Sequence, residues 1–420
     1  MIEIHPVGQL KVAVSVPGSK SYTQRALVAA ALAAGTSRLH NALFSEDTSY
    51  LTDALGDLGA GIRVEGHDLI VTGTGGLIAT PKKEIFVGNN GTALRFLTAL
   101  ACLGTGTTVV TGEARLRERP VLPLIEALES LGVAVQTRNG KGYPPVRIEA
   151  SGFRGGQVAF RDADSSQYIS ALLLSAPYAR GDVTVRLEGR TVSQPYIDMT
   201  SEVMRAFGAI VTSAGDRHYH VPGKQCYQGR EYAVEGDASS ASYFFLAAAL
   251  CRGTVTVMNM NPQSCQGDLR LLDFLEQLGC AVRRGESWIE VTGHKLPEGE
   301  YHFDMGDMPD MAPTMAVLSA FRPGRTIIGN CAHLRIKESD RIASLVTELK
   351  RISVGARETP DGLVIDGGRP RGAQIETYND HRIAMSFAVA GLAAPGMRIA
   401  NEQCVNKSFP GFWDALGRLT

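Results

Sequence analysis

ALVAAALAAGTSRLHNA, residues 26–42, reads as a helix of small apolar residues, a glycine turn and a short strand. The same compound pattern returns in RFLTALACLGTGTTVVTG (95–112), ISALLLSAPYARGDVTVRLEG (169–189) and SYFFLAAALCRGTVTVMNM (242–260), then in TMAVLSAFRPGRTIIGN (314–330) and IAMSFAVAGLAAPGMRIAN (383–401). Helices that are apolar or small on nearly every face are expected to be buried all round. Between the copies a second helix runs through a glycine into a strand, as in LTDALGDLGAGIRV (51–64), LIEALESLGVAVQT (124–137), SEVMRAFGAIVTS (201–213) and LLDFLEQLGCAVRR (271–284), and less regularly in LVTELKRISVGARE (345–358). Glycine at that helix end supplies the left-handed cap that turns the chain into the strand. Hairpins follow in GHDLIVTG (66–73), ESWIEVTG (286–293) and DGLVIDG (361–367).

The copies recur at roughly 70 residues, longer than a solenoid rung, so each is expected to be a small β-α-β-α-β-β subdomain. Six of them make an α/β protein of two halves, divided near Gly236-Asp237. A length of 420 residues agrees with more than one domain. The formal net charge of −1 gives no overall field to hold nucleic acid, so clustered cations would serve a small anion instead. Seven cysteines (102, 226, 251, 265, 280, 331 and 404), with no CxxC pair, point to reduced thiols in the cytoplasm and to neither a disulfide framework nor zinc. The start Met-Ile-Glu lacks a basic and then apolar leader, so no signal peptide is expected. Apolar runs such as Ala26–Ala34 and Tyr243–Cys251 fall well short of the ~20 residues that span a bilayer, so no membrane segment is expected.

The polar residues gather at the starts of the inner helices. LRIKESDR (334–341) packs Lys337, Glu338, Ser339, Asp340 and Arg341 together, and Ser339-Asp340 ahead of Ile342, Leu345 and Val346 also reads as an ordinary helix start. PGSKSYTQR (17–25) places Lys20, Ser21 and Arg25 at the first inner helix, without the glycines of a Walker A loop. GNNGTALRF (88–96) repeats the design at the second, where Gly91 allows close backbone approach. RLRERP (115–120) carries Arg119; DADSSQY (162–168) offers Ser165, Ser166 and Gln167; and VSQPYID (192–198) adds Ser193 and Tyr196. Paired serines at a helix start equally read as simple caps. MPDMAP (308–313) sets Asp310 ahead of the fifth inner helix, YNDHRIA (378–384) sets His381-Arg382 ahead of the sixth, and NKSFP (406–410) adds Lys407. Helix N-termini, with their dipoles and unpaired N–H groups, favour anions. The cations exceed what one phosphate or carboxylate requires, and Asp310 and Glu338 among them are candidates for general base and acid.

Taken together these segments, from PGSKS at Pro17 to FPGF near the C-terminus, resemble the EPSP synthase (3-phosphoshikimate 1-carboxyvinyltransferase) family over essentially the whole chain. The resemblance implies an inside-out α/β barrel of enolpyruvyl transferase type, with three units around buried parallel helices in each domain. The domains would be 1–18 plus 236–420 and 19–235, with the active site in the cleft between them. It implies enolpyruvyl transfer from phosphoenolpyruvate to the 5-hydroxyl of shikimate 3-phosphate by a cytoplasmic monomer of the shikimate pathway, a glyphosate target, without metal or cofactor. Asp310, Glu338 and Lys20 would be catalytic. Lys20, Ser21, Arg25, Ser165, Ser166, Gln167, Ser193, Tyr196, Asp310, His333 and Lys337 would hold shikimate 3-phosphate. Lys20, Gly91, Arg119, Gln167, Arg341, Arg382 and Lys407 would hold phosphoenolpyruvate. Against the common pattern, Asn90 stands for Ala, Phe96 for Pro and His333 for Asn, which leaves glyphosate sensitivity and the role of residue 333 open.

Two other readings compete. The sister family that transfers enolpyruvyl to UDP-N-acetylglucosamine begins with Lys-Asn and places a Cys in the donor loop; here Ser21 follows Lys20 and the loop after Arg115 has no Cys. A non-catalytic anion receptor would gain nothing from Asp310 and Glu338 in its pocket.

Overall fold

A computed structural model describes residues 1–138, 140–215 and 217–419. Its helices are α1 (Lys20–Leu32), α2 (Glu46–Asp57), α3 (Gly91–Ala101), α4 (Leu122–Ser130), α5 (Ser166–Ser175), α6 (Gln194–Ala206), α7 (Ala238–Cys251), α8 (Leu271–Gln277), α9 (Ala312–Ala320), α10 (Arg341–Arg351), α11 (His381–Gly391) and α12 (Phe412–Gly417). The chain divides into two compact units, Gly18–Val234 and Met1–Pro17 with Glu235–Thr420.

In the unit Gly18–Val234, the helices α1, α3 and α5 pack on one another. Every residue of α1 from Tyr22 to Leu32 is buried, as are all residues of α3 except Thr92. Alanine and leucine over three turns give these helices propensity and an apolar surface on all sides, so burial on every face costs no polar group. The unit has its own apolar core, which Leu27, Leu97, Leu172 and Val183 share. α2 and α6 are amphipathic instead, with buried stripes of Leu51, Ala54 and Leu55 and of Ile197, Val203 and Met204.

The second unit follows the same plan. Helices α7, α9 and α11 pack together, with α9 and α11 buried along their whole length, and its core includes Phe244, Val317 and Phe387.

Six sheets lie outside these helices, five of four strands and one of three. In one, Ile85–Phe86 runs parallel to Gly106–Thr111, which pairs antiparallel with Val146–Ala150, itself antiparallel to Ala134–Thr137. The sheet of Gly156–Arg161, Val183–Glu188, His218–Val221 and Thr212–Ser213 repeats this order. The first sheet of the unit takes its parallel edge from the unit's end, since Glu231–Ala233 pairs with Thr36–His40. In the other unit Lys11–Val14 lies parallel to Thr254–Val257, and Ile2–Ile4 antiparallel to Met397–Ile399. The expected barrel is corrected here. Each sheet is open, with two unpaired edges, and among the described residues none closes on itself.

The second helices end on left-handed glycines, Gly59 (φ 109°), Gly132 (87°), Gly208 (88°) and Gly279 (84°). The irregular fifth copy places Ser353 at the same turn with φ 66°.

Candidate active site

In the unit Gly18–Val234 the helix starts are stitched together by side chains. Ser19 caps α1, Asn90 caps α3 and Ser165 caps α5. Asn90 does more than cap: its Oδ1 accepts from Ala93 N at 2.9 Å, while its Nδ2 donates to Gln24 Oε1 (3.0 Å) on α1 and to the Asp47 carbonyl (2.8 Å) on α2. Gln167 Nε2 on α5 donates to Thr92 Oγ1 on α3 at 3.0 Å, and its buried Oε1 has no hydrogen-bond partner among the described residues. These bonds bring the starts of α1, α2, α3 and α5 to one place.

The cations there have mostly neutral partners. Arg25 donates from Nε to Thr200 Oγ1 (2.7 Å), from Nη1 to the Ser21 carbonyl (2.9 Å) and from Nη2 to the Tyr196 carbonyl (2.9 Å) and Ser170 Oγ (3.3 Å). Its guanidinium also lies over the rings of Phe96 and Tyr196. Burial pulls its pKa down to about 10, opposed by the neighbouring tyrosines, so it is a buried cation without a carboxylate. Arg95 donates to the carbonyls of Gly91 (2.9 Å) and Pro120 (2.6 Å), and Arg119 Nη1 reaches the Asn89 carbonyl at 3.4 Å. A Cβ at Gly91 would stand 2.5 Å from Arg95 Nη1 and 2.6 Å from Arg119 Nη2, so glycine is what lets both guanidinium groups approach. Lys20 pairs with an acid, Asp47, at 3.0 Å. Ser166 is the first residue of α5, and Ser193 precedes α6 in the left-handed region at φ 60°.

The other unit answers with carboxylates. Asp340 caps α10 by accepting from Ala343 N at 3.1 Å, so the helix start read at Ser339-Asp340 is present. Arg341, the first residue of α10, donates to three acids: Nε to Asp380 Oδ2 (2.7 Å), Nη1 to Asp310 Oδ1 (2.8 Å) and Nη2 to Glu338 Oε2 (2.7 Å). Arg382 Nη2 holds the other oxygen of Asp310 at 2.6 Å. Asp380 is itself the cap of α11, accepting from Arg382 N at 3.0 Å and from Ser339 Oγ at 3.1 Å. Burial alone would raise the Asp310 carboxyl, but Arg382, Arg341 and Lys337 outweigh it and hold it well below the usual carboxylate range. Burial would lower Arg341, yet Asp380, Glu338 and Asp310 raise it above its ordinary value. Both remain charged at any working pH.

Of the residues singled out from sequence, one unit brings together Lys20, Ser21, Arg25, Gly91, Arg119, Ser165, Ser166, Gln167, Ser193 and Tyr196 through these helix starts. The other joins Asp310, Glu338, Arg341 and Arg382 directly, with Lys337 close enough to act on the Asp310 charge. His333 lies buried in the turn Ala332–Ile336, which packs on α10, and Lys407 ends the turn Glu402–Lys407, which packs on α11.

Asp47, Asp380 and Tyr243 also touch these groups and are not singled out by the sequence. Asp380 lies within the motif Asn379–Arg382 without a role of its own there, and its signal is its place one residue before α11. The Tyr243 hydroxyl is buried on α7, where burial pushes its pKa above the usual range against Arg382 and Arg341. Asp47, in SEDTSY, carried no signal beyond an ordinary capped helix start.

Among the described residues no group of three or more His, Cys, Asp or Glu is placed to hold a metal ion, and no helix is long and apolar enough to cross a membrane.

The sequence model of EPSP synthase (3-phosphoshikimate 1-carboxyvinyltransferase) matches residues 4–416. A 3-phosphoshikimate 1-carboxyvinyltransferase of Trichormus variabilis is 44% identical over 402 residues, covering 95% of this chain and 94% of its own. That of Yersinia ruckeri is 41% identical over 424 residues, covering 100% of this chain and 98% of its own. In solved structures, an EPSP synthase from Acinetobacter baumannii superposes with a TM-score of 0.82 at 29% identity, over 99% of this chain and 97% of that one. Helix starts lined with arginines, a glycine that admits two guanidinium groups, and an Arg341 shared by three acids thus occur in a chain that belongs to the EPSP synthase family.

Proposed function

We infer that the chain carries out the reaction of its family, moving the enolpyruvyl group of phosphoenolpyruvate to the 5-hydroxyl of shikimate 3-phosphate with release of phosphate. The observation that carries this reading is Arg341 held by Asp310, Glu338 and Asp380. A receptor for anions gains nothing from acids around its cation, whereas proton transfer requires them. The reading needs both sets of residues to meet one pair of substrates. Arg25, with Lys20, Ser21, Ser165, Ser166, Gln167, Ser193, Tyr196, His333 and Lys337, serves shikimate 3-phosphate. Lys20, Gly91, Arg119, Gln167, Arg341, Arg382 and Lys407 serve phosphoenolpyruvate. The resemblance also supports six related β-α-β-α-β-β units, and a cytoplasmic monomer acting on small molecules and not on nucleic acid.

In the reaction the 5-oxygen attacks C2 of phosphoenolpyruvate, Asp310 takes the hydroxyl proton, and Glu338 gives a proton to C3. The tetrahedral adduct then loses phosphate and a C3 proton, which restores the double bond, and the cations stabilise the leaving charge. Asp310 is a weak base while Arg382 and Arg341 hold it. An incoming phosphate or carboxylate that takes over those guanidinium groups strengthens Asp310 as a base and releases Glu338 from Arg341. Catalysis is thereby tied to occupancy of the phosphoenolpyruvate site. The test is phosphate release from phosphoenolpyruvate, expected only when shikimate 3-phosphate is present. No release with both substrates, or equal release with phosphoenolpyruvate alone, would overturn the reading.

A further inference from the structure

Glu348 lies on α10 beyond Arg341, is 0% exposed, and has no part in the reaction as assigned. Its Oε1 accepts from the Tyr378 hydroxyl at 2.7 Å and its Oε2 from Glu376 N at 3.1 Å. Arg351 Nε stands 3.4 Å from the same Oε2. Both hydrogen bonds end on the segment 376–380, which leads from the strand Gln374–Ile375 into α11. That segment is tied at further points. Asp380 N donates to the Thr377 carbonyl at 2.8 Å, and Asn379 Oδ1 accepts from Asn401 Nδ2 at 3.2 Å, just ahead of the turn that ends at Lys407.

Asp380 also receives Arg341 Nε at 2.7 Å. α10 thus grips the segment twice, by Arg341 at its start and by Glu348 farther along, and a closed ring runs through Arg341, Asp380, Tyr378 and Glu348. Arg382, whose N–H is held by Asp380 at 3.0 Å, hangs from the same ring. The backbone of the segment is one that side chains resist. Tyr378 and Asn379 both take φ 54°, and Asn401 takes φ 48°. Asparagine tolerates that left-handed region, but a bulky side chain stays there only where its surroundings over-determine it. Tyr378 is 41% exposed, so burial of its ring is a weak hold, and the bond from its hydroxyl to a buried carboxylate is the strong one.

We propose that Glu348 and Tyr378 are positioning residues for phosphoenolpyruvate: their hydrogen bond locks the segment 376–380, and through Asp380 it fixes the aim of Arg341 and Arg382. Neither acts on the substrate itself. The proposal rests on the enolpyruvyl-transfer reading, and the two fail separately: absence of transfer in the parent enzyme defeats the reading, whereas the lock is judged by variant against parent.

The experiment compares the steady-state kinetics of the parent with those of Tyr378→Phe, which keeps the half-exposed ring and removes the hydroxyl. KM for phosphoenolpyruvate should rise about tenfold, the scale of a lost hydrogen bond to a charged group, while KM for shikimate 3-phosphate keeps its parent value. A merely structural loss would lower the amount of folded enzyme, and so kcat, without moving either KM. An unchanged KM for phosphoenolpyruvate, or an equal rise for both substrates, would overturn the proposal. Glu348→Gln and the double variant then ask whether one bond carries the effect. The double variant should be no worse than the more affected single one, and losses that multiply would be contrary. Should Glu348→Gln fail to fold, Tyr378→Phe decides alone.

Amide hydrogen exchange gives a reading that needs no activity. In Tyr378→Phe the N–H groups of Glu376 and Asp380 should exchange faster than in the parent, while that of Ala93, bonded to Asn90 in the other unit, keeps its rate. Unchanged exchange at Glu376 and Asp380 would show that the bond does not lock the segment.

Discussion

The two sets of helix starts solve the same problem, a buried arginine, in opposite ways. Arg25 is surrounded by two hydroxyls, two carbonyls and two rings, and Arg95 by two carbonyls and the Tyr168 ring. Arg341 is surrounded by Asp310, Glu338 and Asp380. Neutral partners hold a guanidinium in place without cancelling its charge, so the first arrangement is a fixed positive site that awaits an anion. Acidic partners neutralise the cation and can be exchanged for an incoming phosphate or carboxylate, so the second responds to its ligand. On the proposed reading, fixed positive charge belongs to one unit, and exchangeable ion pairs that couple binding to proton transfer belong to the other.

The comparison can be broken first at the acids. Asp310→Asn keeps the shape and leaves Arg341 with Glu338 and Asp380, yet removes the base. Turnover should fall on the order of 10²–10⁴, with phosphoenolpyruvate still bound in calorimetry. Asp47→Asn, which removes the counter-charge of Lys20, should cost turnover far less, and equal losses would show that the two units do not differ in role.

Next comes stability. Arg341→Ala takes the cation from buried Asp380 and from partly buried Asp310 and Glu338, Asp310 keeping Arg382, and should cost about 3–5 kcal/mol, located to Met1–Pro17 with Glu235–Thr420. Arg25→Ala removes neutral hydrogen bonds but also a desolvated charge, and should cost under about 2 kcal/mol, located to Gly18–Val234. Amide hydrogen exchange assigns each loss to its unit, and a reversed order would contradict the account.

The smallest effect is expected at Asn90. Asn90→Ala removes a cap and the ties to Gln24 and the Asp47 carbonyl, and should cost about 1–2 kcal/mol in urea denaturation. A variant as stable as the parent would show that these ties do not hold the helix starts together.

How far the sequence could be read follows the same physics. Gly59, Gly132, Gly208 and Gly279 mark turns that need positive φ, and glycine announces such turns locally. Ser353 makes the fifth turn at φ 66° without that mark, which is why LVTELKRISVGARE read less regularly. The pairing of Glu231–Ala233 with Thr36–His40 joins strands far apart in the chain, and no local pattern encodes it. The barrel rests on resemblance alone, and the open strand order of every sheet decides against it. At the site the cations are legible because Lys20, Arg341 and Arg382 lie within two residues of the capping Ser19, Asp340 and Asp380, where charge at a helix start invites an anion, and Arg25 follows in the next turn of α1. Their partners Asp47 and Asp380 are not legible, because a lone Asp before or within a helix's first turn reads as an ordinary cap or a solvated residue. Phe96 likewise gave no hint that its ring would lie 5.5 Å from the Arg25 guanidinium.

Solvent deuterium entering the methylene of phosphoenolpyruvate during turnover tests most directly whether the acidic set performs the proton transfer. In the parent enzyme with both substrates, deuterium should appear at C3. In Glu338→Gln, which preserves the shape beside Arg341, both substrates should bind while deuterium incorporation is suppressed together with turnover. Incorporation by Glu338→Gln at the parent rate would contradict the account and move the proton donor elsewhere, with Lys20 the next candidate.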